Sequence, residues 1–331
     1  MKSSSRLILC ALPAFAAVLW LAGSHPHLAP GLAAVQAAGQ DQAPPDQGPD
    51  PAAVNQAPDT SGQGASGPSY TTEAPPPPDE NPDDANYAEQ PTATANEAPP
   101  PLPDYAQPLS PGDGYIWTPG YWAWGPYGYY WVPGVWVEPP YDGALWTPGY
   151  WAFYSGRYRW YPGHWGFHIG FYGGINYGFG YVGFGYEGGY WRANHFFYNR
   201  IYNNINERRV HNVYSYHANV HVNDMHVTNN VRVNNNVRVN NNVRANNFVR
   251  PSYRGGPNGV QSHPQPSEGN AWREPTAPRM NTQVQHEQNY GAMRGQYASE
   301  NHGRPAMTTE SRPLRADRNV QPRQRGGGGR R

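Results

Sequence analysis

Cysteine is almost absent from this sequence, since Cys10 is the only one among 331 residues. It lies inside an apolar N-terminal stretch, too early to be the lipid-carrying cysteine that follows such a stretch in a lipoprotein. The mature chain is therefore expected to have no disulfide, no thiol nucleophile and no thiolate metal site.

Positive charge is missing from the N-terminal part of the chain and is in excess in the C-terminal part. Residues 24–113 contain thirteen Asp or Glu and no Lys or Arg, whereas residues 190–331 contain twenty Arg and eight acids. The acids of the centre are Glu138, Asp142 and Glu187. Paired carboxylates for acid–base chemistry are thus poorly supplied, and no nucleophile elbow, zinc-protease helix or phosphate-binding loop occurs. We predict a protein that is not an enzyme and that uses no cofactor.

Large aliphatic residues are also scarce in residues 24–113, which consist mainly of Pro, Ala, Gln, Asp and Gly. Ordering a chain costs about 1–2 kcal/mol per residue, and this arm offers little apolar surface to offset that cost. We predict an acidic, disordered linker with polyproline II character. A ligand for a proline-binding partner is the alternative interpretation of the same residues.

The first residues have the pattern of a secretory signal. Lys2 and Arg6 precede an apolar run over residues 7–22, and small residues for signal peptidase follow. This predicts a signal peptide over residues 1–23, with cleavage as late as Ala37 as an alternative. The expected location is the periplasm or the cell surface, and the expected membrane contact is this segment alone, if it is not cleaved.

Tryptophan, in contrast, is abundant and regularly spaced. Ten of the twelve tryptophans lie between Trp117 and Trp191, and a Trp-x-Pro-Gly-x-Trp motif occurs four times, with starts 14, 15 and 14 residues apart. Such regularity indicates an internal repeat. The repeat tryptophans are Trp117, Trp122, Trp131, Trp136, Trp146, Trp151, Trp160 and Trp165.

The repeat predicts short strands joined by turns. A type II turn at each Pro-Gly places Trp117 opposite Trp122, and a turn at Pro126-Tyr127 then places Trp122 opposite Trp131. The same count places Trp151 opposite Trp160 around Ser155-Gly156. We predict a mainly β fold built on a small antiparallel aromatic meander of up to eight short strands, over residues 114–167.

Alternation along the strands places all eight repeat tryptophans in one row on one face of this sheet. A buried row would hold together a sheet poor in aliphatic residues, which favours a structural or assembly protein of the cell envelope that associates with itself. An exposed row would stack on sugar rings, which favours a module that binds peptidoglycan or polysaccharide. Both hypotheses stay open at this point.

The rest of the chain divides into three segments by composition. Residues 168–197 alternate glycine with aromatics and are expected to be extended and packed on the meander. Residues 198–250 carry Asn/Val/Arg hexads that favour stacked β coils or, alternatively, mobile low-complexity chain. Residues 251–331 predict a disordered basic tail. Nucleic acid is not an expected partner, since export and the lack of a defined fold in this tail argue against it.

Three histidines are weak candidates for a metal site. His211, His217 and His221 would share one face of a strand, with Asp224 and His226 nearby, a spacing that suits zinc or copper. Solvent-exposed histidines in an Asn-rich tract are the alternative. We therefore assign no metal.

The order of these segments resembles a known family. The Trp-x-x-Gly-x-Trp copies, the Gly/aromatic block at residues 170–181, the Phe196–Asn199 step and the stretch Arg254–Val260 resemble bacterial proteins named for a WXXGXW, or YXWGXW, repeat. The resemblance covers about residues 115–262. It implies an exported protein of unassigned activity, with no catalytic residues to carry over.

Overall fold

A computed structural model of the chain describes residues 48–59, 90–218 and 250–323. The described residues all belong to one compact unit. The predicted signal peptide, the hexads and His221 thus lie outside the described residues. Within the described ranges, every helix is too short or too polar to cross a bilayer.

The fold is mainly β, as the sequence predicts. Eight strands form the repeat, with the following bounds: β2 Ile116–Thr118, β3 Tyr121–Gly125, β4 Gly128–Val132, β5 Gly134–Val137, β6 Leu145–Thr147, β7 Tyr150–Tyr154, β8 Arg157–Tyr161 and β9 His164–Gly166. Strands outside the repeat are β1 Ala93–Ala95, β10 Asn176–Gly178, β11 Tyr181–Val182, β12 Gly189–Arg192, β13 His195–Asn199, β14 Val213–Tyr214, β15 Tyr253–Arg254 and β16 Thr309–Leu314.

The helices of the described residues lie mostly near the C-terminal end. They are α1 Pro266–Arg273, α2 Asn281–Gly291 and α3 Ala298–Asn301, with short 3₁₀ turns at Pro51–Asn55 and Arg294–Gln296.

The repeat folds as two antiparallel hairpins, each bent in the middle. In the first hairpin, β3 pairs with β4 and β2 pairs with β5, so that Trp122 faces Trp131 and Trp117 faces Trp136. In the second hairpin, β7 pairs with β8 and β6 pairs with β9. The chain therefore runs out along one side of each hairpin and returns along the other, and each Pro-Gly step forms a corner between two successive strands.

The predicted register is confirmed at the hairpin tips and wrong at the Pro-Gly steps. Trp124 faces Tyr129 at one tip, and Phe153 faces Tyr158 at the other. Trp117, however, does not face Trp122. Pro-Gly favours a type II turn, whose twist does not suit a two-residue hairpin, and the glycines of these steps do not adopt positive φ. At the second tip, Ser155 and Gly156 both have positive φ, the pattern of a type I′ turn.

The eight repeat strands consequently fall into four sheets and not into one meander. β3 pairs with β4 and β6 pairs with β9 as two-stranded sheets, while β1-β8-β7-β15 and β16-β5-β2 are extended by strands from outside the repeat. The Pro-Gly corners separate the strand pair at the tip of each hairpin from the strand pair at its open end. The predicted single row of tryptophans is thereby divided as well.

Residues 90–113 pack closely on the repeat, which differs from the predicted disorder of the whole linker over residues 24–113. Strand β1 pairs antiparallel with β8, and Leu102 is buried. The carbonyls of Pro101 and Pro108 accept hydrogen bonds from repeat indole N–H groups, and Tyr105 packs among aromatic rings, which together order this segment. The composition of the segment does not predict this order. Every residue carries the same main-chain carbonyl, so the sequence does not show which carbonyls accept a buried hydrogen bond.

Residues 251–323 are also folded, in contrast to the predicted disordered tail. Strand β15 pairs parallel with β7, and β16 pairs parallel with β5. Helix α2 packs on the first hairpin through His286, whose Nε2 lies 2.9 Å from the carbonyl oxygen of Pro133. Polar side chains that bond to repeat backbone therefore replace the aliphatic surface that this segment lacks.

Between these segments, residues 168–218 also pack on the repeat. Strand β12 pairs with β13, and β14 adds to β13 in parallel. Tyr172, Tyr181 and Tyr198 from this region are fully buried in the same core as the repeat tryptophans.

Candidate functional site

The eight repeat tryptophans are the centre of the hydrophobic core. Their exposed fractions lie between 0% and 6%. They form four cross-strand pairs with ring centroids 5.1 to 5.6 Å apart, a separation typical of favourable aromatic contacts. The pairs are Trp117 with Trp136, Trp122 with Trp131, Trp146 with Trp165, and Trp151 with Trp160.

The first tryptophan of each motif packs on the glycine of the motif opposite. A Cβ built on Gly134 would lie 2.6 Å from Cζ2 of Trp117, and a Cβ on Gly120 would collide with the ring of Trp131. The second hairpin repeats the arrangement, since a Cβ on Gly149 would lie 2.7 Å from Trp160. Glycine is thus required here by close ring contact and not by positive φ.

The sequence model of the WXXGXW repeat family matches residues 112–137 and 145–165, as two copies. This chain carries the WXXGXW repeat. Each matched copy coincides with one bent hairpin and contains two Trp-x-Pro-Gly-x-Trp motifs. Comparison with curated proteins yields no match, and comparison with solved structures yields none either.

The reciprocal packing explains the spacing of the WXXGXW motif. The first Trp reaches across the hairpin to a glycine, the Gly forms the corner and receives a ring in return, and the second Trp pairs with a Trp on the opposite strand. One motif alone has no partner for its ring or its glycine. The structural unit is accordingly a pair of motifs.

Indole N–H groups of the WXXGXW repeats bond to segments outside the repeat. Trp122 donates to the carbonyl of Pro101 at 3.1 Å, and Trp136 donates to that of Pro108 at 2.9 Å. Further donations run from Trp131 to the Thr308 carbonyl at 3.1 Å and from Trp165 to the Gln283 side chain at 2.9 Å. Both arms of the chain therefore satisfy buried donors of the repeat.

Hydrogen bonds from Trp151 and Tyr181 connect the two WXXGXW copies. Trp151 donates its indole N–H to the carbonyl of Trp122 at 2.8 Å. The hydroxyl of Tyr181 donates to the Trp146 carbonyl at 2.9 Å and lies 3.4 Å from the carbonyl oxygen of Trp117. Burial raises the pKa of Tyr181 well above its usual value, so this hydroxyl stays a donor.

The predicted binding row is not accessible in this arrangement. An indole that is at most 6% exposed cannot present a face to a sugar ring. The reason lies outside the repeat, because residues 90–113, 168–197 and 251–323 cover the faces that a bare meander would leave open.

A shallow cleft lies where the Pro-Gly corners of the two hairpins meet, at Pro119 and Pro148. Tyr121 stacks on Trp160 at its wall, with centroids 5.0 Å apart. The Tyr121 hydroxyl donates to Glu287 at 2.6 Å, and Arg279 pairs with the same carboxylate. Burial and the nearby Glu287 raise the pKa of Tyr121. The charged groups of the cleft thus pair with each other, and the bond between Tyr121 and Glu287 connects α2 to the first hairpin.

The histidine candidates do not come together. His211 lies on the surface, with Nδ1 2.6 Å from the carboxylate of Asp113, and His217 is exposed. His221 lies outside the described residues. Among the residues that the structure does describe, no group of three His, Cys, Asp or Glu is placed to hold a metal ion.

Two carboxyl groups are buried that sequence patterns alone do not single out as site residues. Glu187 is 6% exposed and Glu268 is 2% exposed. Burial raises the pKa of Glu187 to about 8, with Asp50 adding to the shift, and burial raises that of Glu268 to about 8 as well. Only the isolation of Glu187 among glycines and aromatics pointed to it in the sequence.

Proposed function

We propose that this chain is an exported, non-enzymatic structural or assembly protein of the cell envelope. Support for export is the N-terminal pattern of Lys2, Arg6 and the apolar run over residues 7–22. Support for a structural role comes from the repeat tryptophans. These are the residues best suited to stack on a ligand, and all eight are buried in the core.

The observation that carries the proposal is the burial of all eight repeat tryptophans, at 0% to 6% exposure. Binding proteins that stack on sugars need aromatic faces open to solvent. Here the indole faces contact other rings and glycines, and four of the indole N–H groups bond to the two arms. The repeat therefore holds the segments on both sides of it in place.

The first experiment measures tryptophan emission and iodide quenching of the mature protein, with and without insoluble peptidoglycan and purified polysaccharide. A structural core predicts blue-shifted emission, weak quenching and no response to either glycan. Red-shifted emission that glycan protects from iodide would instead show that the tryptophans form a binding surface. That result would replace this proposal with the glycan-binding one.

Export is tested separately by fractionating cells that express the full chain. Leu12→Arg places a charge in the apolar run and should retain the protein in the cytoplasm, while Leu12→Ile should leave it in the periplasmic or surface fraction. Equal distribution of the two variants would contradict signal-dependent export.

A further inference from the structure

Two carboxyl groups from distant parts of the chain meet beside the 3₁₀ turn Pro51–Asn55. Asp50 directly precedes this turn, and Glu187 lies between strands β11 and β12. The Asp50 side chain lies within hydrogen-bonding reach of the Glu187 carboxyl. Two carboxyls this close repel each other when both are ionised, so the pair needs either a proton or a cation between them.

Glu187 is the buried member of this pair. It is 6% exposed, and its Oε2 atom has no hydrogen-bond partner among the described residues. A carboxylate oxygen left unpaired in a protein interior is costly. Asp50 is the charged neighbour that acts on Glu187, and no arginine of the described ranges does so. The described part of the chain thus supplies this carboxylate with no positive partner.

Tyrosine hydroxyls add neutral oxygen atoms beside the pair. Burial raises the pKa of Tyr214, and Glu187 and Asp50 raise it further, so both carboxyls lie close to this hydroxyl. The Tyr214 hydroxyl is buried and has no hydrogen-bond partner within the ranges that the structure describes. Burial also raises the pKa of Tyr202 to about 12, with contributions from the same two carboxyls. Oxygen atoms are the ligands that hard cations prefer.

Hydrogen bonds to the backbone hold this arrangement in place. Asn55 donates from Nδ2 to the carbonyl oxygens of Tyr186 and Gly189, each at 2.7 Å, and these two residues flank the buried glutamate. Asp50 accepts at Oδ1 from the backbone N–H of Ala52 at 2.8 Å, which orients its carboxyl. Asp50 is only half-buried, so an ion reaches the pair from its side.

We propose that Asp50 and Glu187 bind a calcium ion, with Tyr202 and Tyr214 beside it. Ca²⁺ takes oxygen ligands in a flexible geometry, whereas Mg²⁺ demands a near-ideal octahedron. Two carboxylates balance the charge of the ion, and the open side at Asp50 admits water as further ligands. The bound ion joins the 3₁₀ turn to residues 168–197. This inference goes beyond the proposed function and does not rest on it.

Calcium binding is tested on the full chain after treatment with a chelator. Titration calorimetry with calcium chloride measures the affinity, and Tb³⁺ luminescence sensitised by nearby aromatic rings reports on the site. Glu187→Gln and Asp50→Asn each remove one negative ligand and should weaken Ca²⁺ binding by about tenfold or more. Both variants should fold, because glutamine has the shape of the protonated glutamate and asparagine at residue 50 remains a good N-cap.

Glu268→Gln is the matched control. Glu268 is also buried and has an Oε1 atom without a hydrogen-bond partner in the described part of the chain, but no second carboxyl of that part acts on it. This variant should bind Ca²⁺ as the parent does. Weak binding by the many acids of residues 24–113 would be the same in every variant, so the comparison removes it.

Thermal unfolding gives a second measurement. A large excess of Ca²⁺ should raise the unfolding midpoint of the parent and of Glu268→Gln, and it should leave that of Glu187→Gln unchanged. No binding by the parent, or equal binding by all variants, would overturn the calcium site. The proposed structural role would stand after either result, because it depends on the buried tryptophans and not on this pair.

Discussion

The six-membered ring of Trp117 lies against the Cα of Gly134, so closely that a Cβ there would be 2.6 Å from Cζ2. The contact runs across the hairpin between two motifs, 17 residues apart in the chain. It is repeated with the roles exchanged between Trp131 and Gly120.

Gly134→Ala should therefore destabilise the protein by about 1–3 kcal/mol, since the added methyl group must displace a packed indole. Denaturant unfolding followed by tryptophan emission measures the change. Gly112→Ala is the matched control, because its added Cβ would meet the nearest atom at an ordinary 3.8 Å. Equal effects of the two substitutions would contradict the packing argument.

Trp122→Phe should lower the free energy of unfolding by about 1–3 kcal/mol beyond the loss of ring volume. The substitution keeps an aromatic ring but leaves the Pro101 carbonyl without its indole donor. Trp124→Phe, on the same strand and half-buried, controls for the change in ring size. Faster amide exchange around Leu102 in Trp122→Phe alone would show that the loss acts on the segment around Pro101.

Tyr181→Phe should weaken the connection between the two repeat copies and cost about 1–3 kcal/mol, because the Trp146 carbonyl loses a buried donor. Tyr127→Phe, whose ring is 54% exposed, should change stability by less than about 0.5 kcal/mol. Thermal unfolding of both variants makes the comparison. A loss of stability in Tyr127→Phe as large as in Tyr181→Phe would contradict it.

Stability should fall as pH rises from about 4.5 to about 8. Glu187 and Glu268 hold their protons up to a pKa of about 8 in the folded chain, against 4.5 as their ordinary value. Across that window the unfolded chain has already lost the protons, so each group lowers stability by about 1.4 kcal/mol per pH unit. The stability is therefore highest with respect to these two groups below about pH 4.5, and it reaches its lower limit above about pH 8.

Unfolding of Glu187→Gln and Glu268→Gln across this pH range checks the prediction. Each variant should show a flatter decline than the parent and equal or greater stability at pH 8. Glu207→Gln, at an exposed position, should leave the profile unchanged. A decline as steep in the double variant as in the parent would rule out these two carboxyls as its source.

Part of the architecture is local enough to be predicted from the sequence. The eight strands follow from the motif spacing, and Trp122 opposite Trp131 follows from the turn at Pro126-Tyr127. The hairpin partner of Trp117 was missed, because Pro-Gly is compatible both with a tight turn and with a corner. Which of the two forms depends on the ring that packs on the glycine.

The amino-acid sequence by itself determined the repeat, the WXXGXW motif, the mainly β fold and the register at the hairpin tips, because these depend on residues close together in the chain. Only the tertiary structure decided that the repeat tryptophans are buried and that residues 90–113 and 251–323 are folded. The physical reason is that these arms are ordered by carbonyl, amide and imidazole groups that bond to residues far away in the chain, as between the Gln296 amide and the Trp131 carbonyl, which are 165 positions apart. No local composition encodes such pairings.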